Sequence, residues 1–256
     1  MKWICLFVMF AAVTATAEPL VFQSAGRQAA LLELYTSEGC SSCPPAERWV
    51  SELKGAPGLW NEFVPVVFHV DYWNNLGWRD KLSSPQFSDR QRGYARAWSA
   101  ENIYTPEFVL NGREWGNWLG SRGAPSASKN RVGILQVNSD DGKHWQVSFN
   151  PVENESVTDY EATVAVLVSG LNSEVTAGEN SGRDLKHDFA VLSLVTCSLV
   201  SRTNGFRGTL VIDPDSKEVA GRRALAAWVT RRGELKPLQA TGGWLPEPIK
   251  TIPPAK

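Results

Sequence analysis

The sequence predicts an α/β domain followed by an all-β, sandwich-like domain. Between residues 31 and 112, apolar runs alternate with stretches of helical spacing in the order strand, helix, strand, helix, strand. Beyond residue 132 the texture changes to short β-type runs separated by turn signals. Gly120 to Lys129, rich in Gly, Ser, Ala and Pro, reads as the linker between the halves. The predicted organisation is a leader at 1–17, the α/β domain at 18–128, the β domain at 129–244 and an extended tail at 245–256.

Leu31 to Thr36 is a buried strand, apolar on both faces except at Glu33. Pro44 and Pro45 suit the first helical positions, where a missing N–H is not needed. Trp49, Val50 and Leu53 then give the helix Ala46 to Lys54 a core face, and Gly55, Pro57 and Gly58 end it. Phe63 to Asp71 is a second buried strand. A polar, aromatic segment, Tyr72 to Lys81, leads to a helix from Pro85 to Glu101. Its Phe87, Arg90, Gln91, Tyr94 and Trp98 share one face. Ile103 to Gly112 reads as a loop, a strand and a tight turn. In the second half, strands fall at Val132 to Val137, Trp145 to Phe149, Tyr160 to Val168, Phe189 to Val200, Gly208 to Ile212 and Ala224 to Thr230. Asp140-Asp141-Gly142 and Asn204-Gly205 are hairpin signals. Four prolines between Leu245 and Lys256 predict an extended tail.

The 256 residues carry 26 Lys+Arg against 27 Asp+Glu, a formal net charge of -1. Such a balance attracts neither nucleic acid nor an anionic membrane, so neither is an expected partner. Lys2, the apolar run Trp3 to Val13 and the small residues Ala15-Thr16-Ala17 form a secretory leader. The run is shorter than the roughly 20 residues a spanning helix needs, so no membrane insertion is expected after cleavage. Cleavage would leave about 239 residues, and the chain is expected to be exported, periplasmic or secreted. Cys5 would leave with the leader, and Cys40, Cys43 and Cys197 would remain. Disulfides persist outside the cytosol. Three cysteines cannot form two bridges within one chain, which excludes a disulfide-rich scaffold.

Cys40-Ser41-Ser42-Cys43-Pro44-Pro45 follows the first strand and opens the first helix, the layout of a thioredoxin-type redox site. Unsatisfied N–H groups and the helix dipole favour a thiolate at the first cysteine. The second lies one turn on, close enough to resolve a mixed disulfide. The alternative is a closed Cys40–Cys43 disulfide that only braces the loop. Zinc sites built on this spacing normally add a second cysteine pair or paired histidines, which are absent here. Thr105-Pro106 precedes the third strand. In thioredoxin-like proteins a cis-proline sits against the active cysteines, and the preceding backbone pairs with the substrate. Thr105 and Pro106 are therefore the candidate substrate-binding residues.

Glu33 is the one charge in its strand and is expected to pair with an arginine such as Arg79 or Arg90, with a proton-relay role as the alternative. His69 and Asp71 share one strand face, and with Cys40 and Cys43 they could bind copper or zinc. A lone strand histidine is more often a hydrogen-bonded core residue, so no resident metal or cofactor is expected. Tyr72, Trp73, Trp78, Trp115 and Trp118 read as core and cover, with an aromatic-lined peptide groove as the alternative. Gly178 to Arg183 reads as a turn-rich segment whose charged residues lock the loop, with ligand binding as the alternative, and Cys197 as an inert, buried thiol.

With these residues in hand, the chain resembles a family of exported thioredoxin-like proteins classed as a domain of unknown function, number 1223. The matching stretches are Glu33 through Ala46 (ELYTSEGCSSCPPA), His69-Val70-Asp71-Tyr72-Trp73, Arg90-Gln91 with Tyr94, Tyr104-Thr105-Pro106 through Asn111-Gly112, and Gly178-Glu179-Asn180 with Gly182-Arg183. The resemblance implies a thioredoxin-like N-terminal domain with Cys40 and Cys43 as its redox pair, and it supplies no substrate. Where such folds place a short helix after the Asn-Gly turn, Arg113 to Lys129 shows no helical stripe.

The expected function is an exported thiol–disulfide oxidoreductase or redox carrier. Cys40 would attack or accept, Cys43 would resolve, and the partner would be a protein thiol or disulfide. The alternatives are a non-catalytic binding module with a structural Cys40–Cys43 disulfide, and a copper-handling protein using Cys40, Cys43 and His69.

Overall fold

A computed structural model describes residues 18–121, 123–152, 159–217 and 219–247. The predicted leader at 1–17 and the predicted tail beyond residue 247 lie outside the described residues. The elements run β1 (Leu20–Gln23), β2 (Ala30–Thr36), α1 (Pro44–Glu52), β3 (Phe63–His69), α2 (Pro85–Trp98), β4 (Glu107–Leu110) and β5 (Arg113–Glu114). They continue β6 (Gly133–Ser139), β7 (His144–Pro151), β8 (Tyr160–Ser169), β9 (Leu171–Val175), β10 (Arg183–His187), β11 (Ala190–Arg202), β12 (Gly205–Val211), β13 (Arg222–Arg231) and β14 (Pro237–Trp244).

Local chemistry explains the ends of the first elements. Pro44 and Pro45 open α1, and the Cys43 carbonyl accepts from the backbone of Ala46 at 2.9 Å and Glu47 at 3.2 Å. Ser99, in the left-handed region at φ 57°, ends α2. The parallel pair β2 and β3 is joined through α1, with Leu34 opposite Val67, and β4 runs antiparallel on the other side of β2. Asn111 and Gly112, at φ 51° and 76°, turn β4 back into β5, as the Asn-Gly pair predicts.

The predicted fold class, an α/β thioredoxin-like domain followed by a separate sandwich, is not the fold that forms. Twelve strands join one mixed sheet in the order β1-β6-β7-β12-β11-β3-β2-β4-β5, with β8, β13 and β14 branching from β11. The chain is mostly β, with two α-helices among the described residues. The physical reason lies at the outer edge of β3. There β11 pairs in parallel, with Ala190 opposite Val67, so the first sheet continues into the second half. The same long strand pairs with β8 from Ala190 to Leu199 and with β12 from Val200 to Arg202.

The packing follows this continuity. One core joins Leu31, Leu34, Val66, Phe68 and Phe87 to Leu167, Phe189, Ala224, Trp228 and Ala240, so apolar residues of both predicted segments fill the same interior. A second cluster, including Val137, Trp145, Phe149, Tyr160 and Leu199, lies under the strands nearer β1. The stretch without a helical stripe forms β5 and a short 3-10 turn at Trp118–Gly120. Its Trp115 and Trp118 pack against Trp49 with ring centroids 5.5 and 6.4 Å away.

Glu33 sits in this shared core with no exposed surface. Arg90 Nε and Nη2 donate to its two carboxylate oxygens at 2.7 and 2.9 Å. The Tyr94 and Tyr35 hydroxyls add donors at 2.5 and 2.9 Å, and the guanidinium lies 5.0 Å over the Trp228 ring. Burial works against the charged guanidinium, but Glu33 outweighs it and holds the Arg90 pKa above its ordinary value. Removing one partner of such a pair strands a buried charge. Arg90→Met is therefore expected to lower unfolding stability by about 3–5 kcal/mol in urea titration. The Glu33→Leu/Arg90→Met double variant should recover most of that loss, and an equally unstable double variant would refute the account.

Candidate functional site

The loop between β2 and α1 carries Cys40 and Cys43, which are joined in a disulfide. Both cysteines are completely buried, whereas Ser41 and Ser42 at the tip are exposed. The loop is gripped from several sides. Asn180 Nδ2 donates to the carbonyls of Glu38 and Cys40 at 2.8 and 2.9 Å, and Arg183 Nη1 donates to Asn180 Oδ1 at 2.8 Å. Ser41 N donates to Glu179 Oε2 at 3.1 Å. The Gly178–Arg183 segment thus locks the cysteine loop from the β half of the chain.

Thr105-Pro106 is a cis peptide, and it faces the cysteines. The Thr105 carbonyl lies 3.7 Å from Cys40 Sγ and 3.5 Å from Ser42 Oγ. Trp73 Nε1 donates to Thr105 Oγ1 at 2.9 Å, which fixes the segment. Gln91 Nε2, from α2, donates to the Tyr104 carbonyl at 2.8 Å and to Glu107 Oε2 at 2.5 Å. Burial pushes the Glu107 carboxyl up to about 7.

Beneath the loop lies a buried set of ionisable groups: Glu38, Glu47, His69, Asp80 and His187. His69 Nδ1 pairs with Asp80 Oδ2 at 2.7 Å, and Asp80 also accepts the backbone N–H groups of Glu38 and Leu82. His187 Nδ1 meets Glu47 Oε2 at 2.5 Å, while its Nε2 lies 3.1 Å from Glu38 Oε1. Thr36 Oγ1 and Trp78 Nε1 donate to Glu47 and Glu38, each at 2.7 Å. Burial disfavours a charged His187, yet Glu47 with Glu38 behind it outweighs burial and pushes the ring up to about 10. His69 is raised in the same way by Asp80, and Glu47 and Asp80 are lowered by the histidines they face.

Residues 31–230 match the sequence profile of a family described as protein of unknown function, DUF1223. The chain belongs to the DUF1223 family. A crystal structure of a protein from Agrobacterium tumefaciens is 22% identical, with 86% of this chain and 96% of that one covered and a TM-score of 0.57. HBP35 of Porphyromonas gingivalis is 14% identical, with 91% and 82% covered and a TM-score of 0.58. These likenesses show a shared fold. No curated protein matches significantly.

Within this DUF1223 chain, the residues singled out by sequence divide into two groups. Cys40, Cys43, Thr105 and Pro106 come together at one face, as do Trp73 and Trp78. His69 and Asp71 do not act together: Asp71 is held by Ser88, and His69 by Asp80. Tyr72 donates to Gln91 at 3.2 Å. Cys197 is half-buried rather than fully buried, and burial raises its thiol pKa. Sequence reasoning missed Glu38 as a buried acid, Glu47, Asp80 and His187. They lie on four separate segments with no shared spacing, so only the fold reveals them as one group.

Two outcomes follow for the DUF1223 site. Asn180→Ala leaves two loop carbonyls without their donor and should cost about 1–3 kcal/mol in urea titration. It should also quicken reduction of the disulfide by dithiothreitol, and an unchanged reduction rate would refute the clamp. The raised Glu107 carboxyl favours the folded state below its ordinary pKa of 4.5, and that advantage is lost as pH rises through about 7. Glu107→Gln should therefore melt higher than the parent at pH 8, with the gap closing below pH 5.

Proposed function

We propose that Cys40 and Cys43 form a thiol–disulfide exchange centre that acts outside the cytosol on a protein thiol or disulfide partner. The observation that carries the reading is the close approach of the Thr105 carbonyl to Cys40 Sγ, 3.7 Å, at the mouth of a strand-to-helix cysteine loop. An extended partner segment would lie along Thr105-Pro106 and bring its sulfur to Cys40. The leader at 1–17 supports an oxidising compartment, where such a pair cycles.

In the oxidised state a thiolate of a partner dithiol attacks Cys40 Sγ, and Cys43 leaves as a thiolate that takes up a proton. The second partner thiol, deprotonated in turn, attacks the partner sulfur of the mixed disulfide and releases Cys40, which takes up the other proton. Two electrons and two protons pass from the partner dithiol to the pair, and the partner leaves as a disulfide. Reversal of the same steps reduces a partner.

One observation favours a second reading, a bracing disulfide in a binding module: neither cysteine has exposed surface. Exchange then requires the Ser41-Ser42 tip to lift away from Glu179. The bracing reading is limited by the size of the ring. Only two residues lie between the cysteines, so the bond constrains the loop and little of the unfolded chain.

Glutathione titration with mass-resolved alkylation of Cys40 and Cys43 separates the two. The exchange centre predicts a reduction potential between about -270 and -120 mV. A pair that stays closed far below about -300 mV is a brace, and the exchange reading falls.

A further inference from the structure

The buried set beneath the cysteine loop has the architecture of a metal site. One ligand atom each from Glu47, His69 and His187 lie within 4.8 Å of one another, and all three residues are buried. Asp80 occupies Nδ1 of His69 at 2.7 Å, which leaves Nε2 as its inward-facing donor. His69 Nε2 is fully buried and has no hydrogen-bond partner among the described residues. His187 presents Nδ1 to Glu47 at 2.5 Å and carries Glu38 on the opposite nitrogen at 3.1 Å. Each imidazole therefore has a carboxylate on its outer nitrogen, the pattern by which proteins orient histidine ligands and strengthen them as donors. Glu47 is oriented likewise, because Thr36 Oγ1 donates to its Oε1 at 2.7 Å and leaves Oε2 for the centre.

We propose that Glu47, His69 and His187 bind one divalent transition-metal ion of the zinc class, with Asp80, Glu38 and Thr36 as its supporting shell. The donor set is two imidazole nitrogens and one carboxylate oxygen, which suits zinc better than calcium or magnesium. Charge favours the ion as well. Three buried carboxylates face two imidazoles, and one dication supplies the two positive charges that two ring protons would otherwise supply. The ion also gives His69 Nε2 the partner it lacks, which a proton on that atom does not. Around a tetrahedral ion, donors about 2.1 Å from the metal stand about 3.4 Å apart. The triad reaches this by opening the short Glu47–His187 contact and drawing His69 inward. The two histidines have no exposed surface, and Glu47, with 6% exposed, gives the ion its side of access and a fourth position for water. This inference does not depend on the redox reading, since it uses neither sulfur.

The test uses the untagged full chain, refolded from denaturant and chelator with and without zinc chloride, then dialysed and assayed for metal by mass spectrometry. The expected result is one zinc per folded chain, a higher Tm than the zinc-free protein, and visible absorption bands when cobalt replaces zinc. Folding is checked by circular dichroism. A folded parent with less than about a tenth of an equivalent of zinc and no shift in Tm overturns the proposal. His69→Gln should abolish binding, and Asp80→Asn should weaken it 10- to 100-fold in competition with a chromophoric chelator. The Cys40→Ser/Cys43→Ser variant should keep its zinc. Loss of the metal there would place it on the sulfurs and overturn the assignment.

Discussion

The free edge of β3 is the constraint on which the rest of the molecule depends. β2 and β3 are buried on both faces, and a buried strand edge with unpaired N–H and C=O groups is costly. β11 meets that edge at one point, Ala190 opposite Val67, and the same thirteen-residue strand goes on to pair with β8 and β12. One strand therefore links the strands of both halves of the chain into a single mixed sheet. The arrangement also brings Phe189 and Trp228 onto the core beside Phe68, and it sets His187 just ahead of β11, under the cysteine loop.

The chemistry beneath that loop follows from the same closure. Charged groups are costly inside a protein unless each has a partner, and here the partners come from four places in the chain. Glu38 follows β2, Glu47 lies in α1, His69 ends β3 with Asp80 beyond it, and His187 ends β10. The loop carrying Cys40 is thus suspended between an acid two residues before it and an acid four residues after Cys43. Both acids face the same imidazole. Asn180 holds the loop from above at two carbonyls. A shift of the cysteines has to disturb elements from both halves of the chain.

Much of the local structure was legible in the sequence. The apolar runs around Leu34 and Val67 mark β2 and β3, the two prolines mark the start of α1, and the Asn-Gly pair marks the turn into β5. Pairing of Glu33 with an arginine was legible as chemistry, and α2 decided that the arginine is Arg90. The sheet as a whole was not legible, because nothing in the composition of Ala190–Arg202 says that its first residue pairs in parallel with β3. Small residues between 120 and 129 look like a boundary, and at the end of that stretch Ser128 and Asn130 bond to Gln28, just ahead of β2. The cysteine loop announced itself through spacing. The histidine and acids beneath it could not, because their proximity exists only after β10 and β11 have docked.

The position of β11 in the chain has a consequence for biosynthesis. His69 is made long before Ala190, and at about 5–20 residues per second the interval is on the order of ten seconds. Throughout that time the nascent β3 lacks its β11 partner, and the core around Phe68 lacks Phe189 and Trp228. A growing chain of this design presents an apolar strand edge early and pairs it late, so apolar surface is exposed during that wait.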